Sequence, residues 1–392
     1  MQAYALDWLN LLIRWTHVTA VVAWIGTSFY FMALDYGLRP PRDPASHRAG
    51  VGGESWEIHG GGFYRVEKYT VAPPSLPEPL HWFEWEAYST WISGFALLVV
   101  LYYANAGTYL IDPSVANLSP PQAIGISLAG LAIGWLVYEV LARRFGDNDR
   151  LFAVVIALIA FGSSQLFSPR ASYIQVGATI GTWMAANVLF VIIPGQRELV
   201  AAKTAGREPD PQPGLLGKQR SVHNNYFTLP VLFAMLSNHY PMTYSHPAGW
   251  LVLLALMALG VWVQHFLNLR QQGRVVWAIP AGVAAGVVAL AVAIAPRGGP
   301  SSQSTQVRLA EVQPIVAHRC VPCHSAAPTN PSFATAPKGI TFDTPAQIQA
   351  RAADIYQQAV VTRNMPLGNA TEMTQSERDL LGAWIEQGAR LD

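Results

Sequence analysis

Eight long apolar runs dominate the first three quarters of the chain, at about 9–34, 82–104, 122–142, 151–168, 172–194, 224–241, 248–269 and 276–295. A helix needs roughly 20 mostly apolar residues to cross a bilayer, so the pattern predicts eight transmembrane helices. Those at 151–168 and 224–241 are the shortest. The first run is too long for a cleaved signal peptide and no basic region precedes it, so it reads as a true span. After residue 295 the pattern becomes that of a small soluble domain. It predicts a helix over about 306–319 and another opened by the capping box Thr374…Glu377, with Leu380, Leu381, Trp384 and Ile385 on one face. Between the two regimes, Pro296-Arg297-Gly298-Gly299-Pro300-Ser301-Ser302 has the composition of a flexible tether. The expected fold is all-α: an eight-span membrane domain at 1–295, a linker at 296–305 and a compact domain at 306–392.

Composition supports that division. Of 392 residues, 51% are hydrophobic and 12% charged, against about a quarter charged in soluble domains. A net charge of +1 with no basic block argues against a nucleic-acid partner. The placement of the basic residues is informative. The loops after the first, third, fifth and seventh runs carry fifteen Lys and Arg, among them Arg39, Arg65, Arg143, Arg150, Arg197, Lys218 and Arg270. The alternate loops carry Arg170 alone. Short cytoplasmic loops are enriched in Lys and Arg, so both termini are expected on the outer side of the membrane.

The two cysteines of the chain lie in Cys320-Val321-Pro322-Cys323-His324. This is the c-type haem attachment pattern, in which two thiols bond the porphyrin and the adjacent histidine takes one axial iron position. A redox or zinc CxxC is the bland alternative, but no second ligand pair follows. Asn364-Met365-Pro366 offers a thioether for the other axial position, with Met373 as a rival against the start of the last helix. Haem attachment outside the cytoplasm agrees with the charge asymmetry, which is an independent argument.

Histidines at membrane depth are functional candidates. His17 falls in the outer half of the first run and His239 at the outer end of the sixth. A histidine pair from two helices is the usual way to hold a b-type haem in a bundle; the alternative is that each bonds a neighbouring helix or sits among headgroups. His81, His223 and His265 fall at inner ends, where they either ligate a haem or shape a substrate pocket. The segment 53–70 brings Glu57, His59 and Arg65 together with Trp56, Phe63 and a glycine triplet. Such a segment suits a planar polar ligand, with Arg65 pairing an anion and Glu57 or His59 moving protons; otherwise it is an interfacial turn with aromatics at headgroup level.

Four stretches, Trp15-Thr16-His17-Val18, Trp56-Glu57-Ile58-His59-Gly60-Gly61-Gly62-Phe63-Tyr64, His81-Trp82-Phe83-Glu84-Trp85-Glu86 and His223-Asn224-Asn225-Tyr226-Phe227-Thr228-Leu229-Pro230, resemble the bacterial membrane-bound urate hydroxylases. The resemblance runs over essentially the whole chain, and the joining of a polytopic domain to a cytochrome c domain is its most specific part. It implies an eight-span bundle in the inner membrane and a class I-like monohaem cytochrome c domain in the periplasm. The implied reaction is oxidation of urate to 5-hydroxyisourate in purine breakdown, with electrons leaving through the c-type haem to a soluble cytochrome c and a terminal oxidase rather than directly to oxygen. On this reading Cys320, Cys323, His324 and Met365 hold haem c, His17 and His239 a haem b, and Glu57, His59, Arg65, His81 and His223 are catalytic candidates facing cytoplasmic urate. A non-catalytic cytochrome conduit and a quinol-linked electron-transfer subunit are the rival functions.

Overall fold

A computed structural model describes residues 2–48, 50–295 and 306–392. The linker expected at 296–305 lies outside the described residues. A helix stands at each of the eight apolar runs: α1 (Gln2–Gly37), α2 (Trp85–Leu97, continued by a π-helical turn Leu98–Tyr103), α3 (Pro120–Phe145), α4 (Asp149–Ser164), α5 (Pro169–Thr204, with a π turn at Val188–Ile192), α6 (Gln212–Leu236), α7 (Gly249–Gln271) and α8 (Ala278–Ala293). Four of them, α1 from Trp8, α3, α5 and α7, are long and apolar enough to cross a membrane. The others fall short for visible reasons, α2 having 13 residues before its π-helical turn. α4 and α8 are 16 residues each, and the first half of α6 carries Lys218, Arg220, His223, Asn224 and Asn225.

Local chemistry sets the helix ends. Ser119 caps α3 in a capping box with Gln122, with proline at the first position, and Arg143 and Arg144 sit in the last turn, where the helix dipole favours cations. α5 is the hub, packed against α2, α3, α4 and α6. Its residues are buried on every side, with Tyr173, Ile180 and Trp183 at 1% exposure or less, as expected of a helix surrounded by others. The outer helices invert the soluble rule. Val22 on α1, Ile133 on α3, Leu158 on α4 and Val288 on α8 all face outward. An apolar surface of that extent needs an apolar solvent or partner, which fits a membrane protein.

The all-α expectation needs one correction, since helix accounts for 67% of the chain and strand for 5%. Segment 53–70 is neither a loop nor a re-entrant turn. It forms an antiparallel hairpin of β1 (Val51–His59) and β2 (Gly62–Tyr69). The two-residue turn Gly60-Gly61 has φ of 57° and 81°, the double positive φ that a tight hairpin requires and glycine supplies. Asp35 pairs with both Lys68 and Lys218, tying the hairpin base to the ends of α1 and α6.

The C-terminal region builds its own core. α9 (Leu309–Arg319), α10 (Pro345–Ala350) and α11 (Gln375–Glu386) surround Val312, Val316, Ile348, Ile355, Leu381 and Trp384, every one of them buried. Thr374 caps α11 through the expected box with Glu377, and Arg319 locks α9 to α11 by pairing with Glu377 at 3.0 Å.

This core docks on one end of the helical bundle. Tyr244 donates to Asn364 at 2.6 Å, Thr108 meets Ser332 at 3.2 Å, and Gly368 rests on the backbone carbonyls of Thr108 and Ile111. The residues at this end belong to the connections 105–119, 164–169 and 241–249, which carry almost no Lys or Arg. The hairpin stands at the other end, with the basic connections.

Candidate functional site

The cysteine pair sits where α9 stops. Cys320 donates its N–H to Val316 O, and the Cys323 and His324 N–H groups both return to Cys320 O at 3.1 and 2.9 Å. The chain thereby makes one tight turn that presents both thiols and the imidazole together. His324 Nδ1 lies 3.0 Å from Ile340 O. A carbonyl only accepts, so Nδ1 carries the proton and Nε2 keeps its lone pair free, the usual way a metal-ligating histidine is oriented. The Phe342 ring, 5.2 Å away, limits rotation. Both thiols are free. Burial, reinforced by the neighbouring thiol, pushes Cys320 up to about 12, and burial raises Cys323 as well.

Met365 lies at the edge of the C-terminal core and Met373 inside it, the latter only 3% exposed. The Met365 backbone is held at both ends: its N–H donates to Gln358 O at 2.9 Å and its carbonyl accepts from Arg378 at 2.7 Å. Arg378 is 5% exposed and also donates to Ala359 O and to Asn369 Oδ1. Two unpaired thiols, a free Nε2 and a braced thioether around one core fit a covalent c-type haem. Arg378 and Ile340 were not foreseen: one acts through a backbone carbonyl and the other is itself a carbonyl, so neither leaves a mark in a motif.

The inner candidates do not assemble into one site. His59 is exposed next to the hairpin turn. Glu57 accepts from Ser55 Oγ at 2.5 Å, while Arg65 pairs with Glu54 and Glu67 at 2.9 and 2.6 Å and lies over Trp56. Register opposes Trp56 to Arg65 and Glu57 to Tyr64, so Glu57 and Arg65 occupy opposite faces of the hairpin. Burial would raise Glu54, but hydrogen bonds from Arg42 N–H and Arg65 outweigh it and hold the carboxyl low. His81 is exposed in the segment before α2. Among the described residues no hydrogen bond or ion pair joins any two of Glu57, His59, Arg65, His81 and His223.

His223 instead centres a buried network. Its Nε2–H donates to Gly146 O at 2.8 Å, so Nδ1 accepts from Tyr138 OH at 2.9 Å. Tyr138 accepts in turn from Asn187, which also donates to Asn224. One turn earlier on α6, Arg220 is wholly buried, 3.0 Å from Glu139 and over the Tyr138 ring. The spacing of Arg220, His223, Asn224, Phe227 and Thr228 marks a single helical stripe, a signal legible in the sequence once 212–236 is read as one helix. Both ring nitrogens of His223 are engaged, which assigns it a fixed neutral tautomer.

His17 and His239 are not brought into contact among the described residues. His17 Nδ1–H points to Thr90 O and Ser93 Oγ at 3.1 and 3.0 Å, leaving Nε2 free as in His324. Its ring lies so close to α2 that a Cβ on Gly94 would meet it at 2.9 Å. His239 is exposed on the short 3-10 turn Ser237–His239 after α6. Of the pair, His17 has a ligand's orientation.

A family model described as urate oxidase N-terminal matches residues 3–295. The chain belongs to the urate oxidase N-terminal family. No curated protein and no solved structure matches it. The urate oxidase N-terminal region takes in the hairpin, α2 to α8 and all but the first residue of α1, and with them His17, His223 and Arg220. The Cys320–His324 turn lies beyond it. Membership ties the chain to urate and to oxidoreductases at the level of the family.

Proposed function

We propose that the urate oxidase N-terminal region oxidises urate to 5-hydroxyisourate and that the C-terminal region conducts the electrons away through a covalently attached c-type haem. The observation that carries this is the joining, in one chain, of the family region to a turn with two free thiols, a histidine with Nε2 unengaged and a braced methionine. The reaction balances as urate plus water giving 5-hydroxyisourate, two protons and two electrons. A soluble cytochrome c takes those electrons singly, two molecules for each urate, and a terminal oxidase consumes them. Cys320 and Cys323 would bond the porphyrin, and His324 and Met365 would ligate the iron. The haem supplies one-electron transfer at a potential raised by the thioether. Ile340 O holds the His324 tautomer, and Arg378 holds the Met365 backbone.

The same reading places the chain in the bacterial inner membrane. The connections at the hairpin end carry fifteen Lys and Arg against one at the other, so the hairpin end faces the cytoplasm and the docked C-terminal region the periplasm. All eight helices, not only the four that qualify singly, then span the bilayer. His17, oriented as a ligand, is the residue to test for a haem b.

A visible difference spectrum of the purified full-length protein under anaerobic conditions tests the proposal. Urate alone should raise reduced c-type bands, with about two haems reduced per urate consumed. Haem that dithionite reduces and urate does not would overturn the proposal, and a b-type band that survives His17→Ala would remove His17 as its ligand.

A further inference from the structure

Where the C-terminal core meets the bundle, the two surfaces enclose a cleft of about 450 Å3, within the usual range for small-molecule sites. Its walls come from both parts of the chain: Asp112, Tyr173, His246 and Trp250 from the family region, Arg363, Asn369 and Arg378 from the C-terminal region. The electrostatics are lopsided. Arg378 is lowered first by burial and then by Arg363, while Asp112, the only carboxylate among the lining residues, acts in the opposite direction, so the lining carries one net positive charge. Asp112 Oδ1 is already taken by the Ser114 N–H and hydroxyl.

The hydrogen-bonding capacity left over is donating. Arg378 spends its N–H groups on Ala359 O, Met365 O and Asn369 Oδ1. No hydrogen bond or ion pair among the described residues engages the exposed Arg363 guanidinium. His246 Nδ1 accepts from Ala248 N–H at 3.1 Å, so its proton sits on Nε2. Asn369 Oδ1 accepts from Arg378 and from Met373 N–H, so its amide hydrogens remain. Several free donors, a net positive charge and the aromatic side chains of Tyr173, Tyr244 and Trp250 suit a planar anion rich in carbonyl oxygens. The position suits an electron donor, because Arg378 forms both the cleft wall and the brace of Met365.

We infer that this interdomain cleft is the binding site for the urate anion, at the end of the bundle opposite the hairpin, with Arg363 as its ion-pairing residue. The inference rests on the urate reading above and adds the location and the residues. It also implies that urate is taken from the side on which the C-terminal region lies. The carboxylates of a covalently bound haem are the other anions Arg363 could pair, and the experiment separates the two.

The test is equilibrium dialysis of labelled urate against full-length holoprotein held reduced with dithionite, so that no turnover occurs. Arg363→Gln should weaken urate binding by about ten- to a hundredfold, the value of one charge-assisted hydrogen bond, and leave the haem spectrum and reduction potential unchanged. His246→Gln, on the facing wall, should weaken binding severalfold. If wild type oxidises urate and both variants bind it as wild type does, the cleft assignment fails while the function stands. A shifted haem potential with unchanged urate affinity assigns Arg363 to the haem carboxylates and also overturns it. If wild type neither binds urate nor takes electrons from it, the functional proposal itself fails.

Discussion

Gly368 offers the sharpest test of whether the docked arrangement conducts electrons. Its φ is 59°, and a Cβ placed on it would stand 2.5 Å from Thr108 O and 3.1 Å from Ile111 O. Both neighbours are backbone carbonyls, which cannot turn aside. An ordinary carbon–oxygen contact is about 3.3 Å or more, so Gly368→Ala forces the segment back by roughly 0.8 Å. That retreat takes the Tyr244–Asn364 bond, now 2.6 Å, to the edge of hydrogen-bonding range, and the Thr108–Ser332 contact, now 3.2 Å, beyond it. Two hydrogen bonds at about 1 kcal/mol each and a left-handed alanine at about 1–2 kcal/mol sum to roughly 3–4 kcal/mol. Most of that weighs against docking, lowering the docked-to-undocked ratio by about thirty- to several hundredfold.

The assay is stopped-flow reduction of the haem by urate, with ascorbate as a small reductant that needs no docking. Gly368→Ala should slow the first at least tenfold and leave the second alone. Gly388 is the control: its φ is 98° but no atom lies within 4 Å of its would-be Cβ, so Gly388→Ala carries the backbone strain without the clash. Urate-driven reduction at the wild-type rate in Gly368→Ala, or equally slow in Gly388→Ala, would refute the argument that this contact lies on the electron path.

Three further outcomes are expected. Met365→Leu should lower the haem potential and alter the iron–thioether absorption, whereas Met373→Leu, a near volume-conserving change in the core, should cost under about 1.5 kcal/mol and leave the spectrum unchanged; redox titration separates them. Glu139→Gln strands the buried Arg220 charge and should destabilise the bundle by about 3–5 kcal/mol in a mixed-micelle unfolding titration, while Glu139→Gln with Arg220→Met should recover most of the loss. Burial alone would raise Glu377, but bonds from Thr374 and Arg319 prevail and hold it below its ordinary value. Its stabilising effect is therefore present above the unfolded carboxylate range near 4.3 and lost as pH falls through the lower folded value. Unfolding of Glu377→Gln should accordingly lose part of the pH dependence seen in wild type below about pH 4.5.

Much of this molecule is local in origin and so was legible along the chain. The apolar runs, the caps at Thr374 and the Cys320–His324 turn each depend on residues within a few positions of one another. Residue spacing alone therefore anticipated a helix at every expected run and both C-terminal helices. The Gly60-Gly61 turn is equally local, but the acids and aromatics of 53–70 pointed to a ligand segment or an interfacial turn instead of the hairpin. What the chain alone could not decide is which distant groups meet. His17 and His239 look alike as candidate ligands, yet one is oriented by α2 and the other is exposed, because the neighbour that orients a histidine lies some seventy positions away. His223 stands in the sequence as a ligand or catalytic candidate, but Tyr138 and Gly146 occupy both its nitrogens. The cleft beneath the C-terminal core depends on the docking of two separately folded surfaces, with Arg363 and His246 on opposite walls. Local hydrogen bonding and hydrophobic period are written in spacing; complementarity between surfaces arises only when the chain has packed.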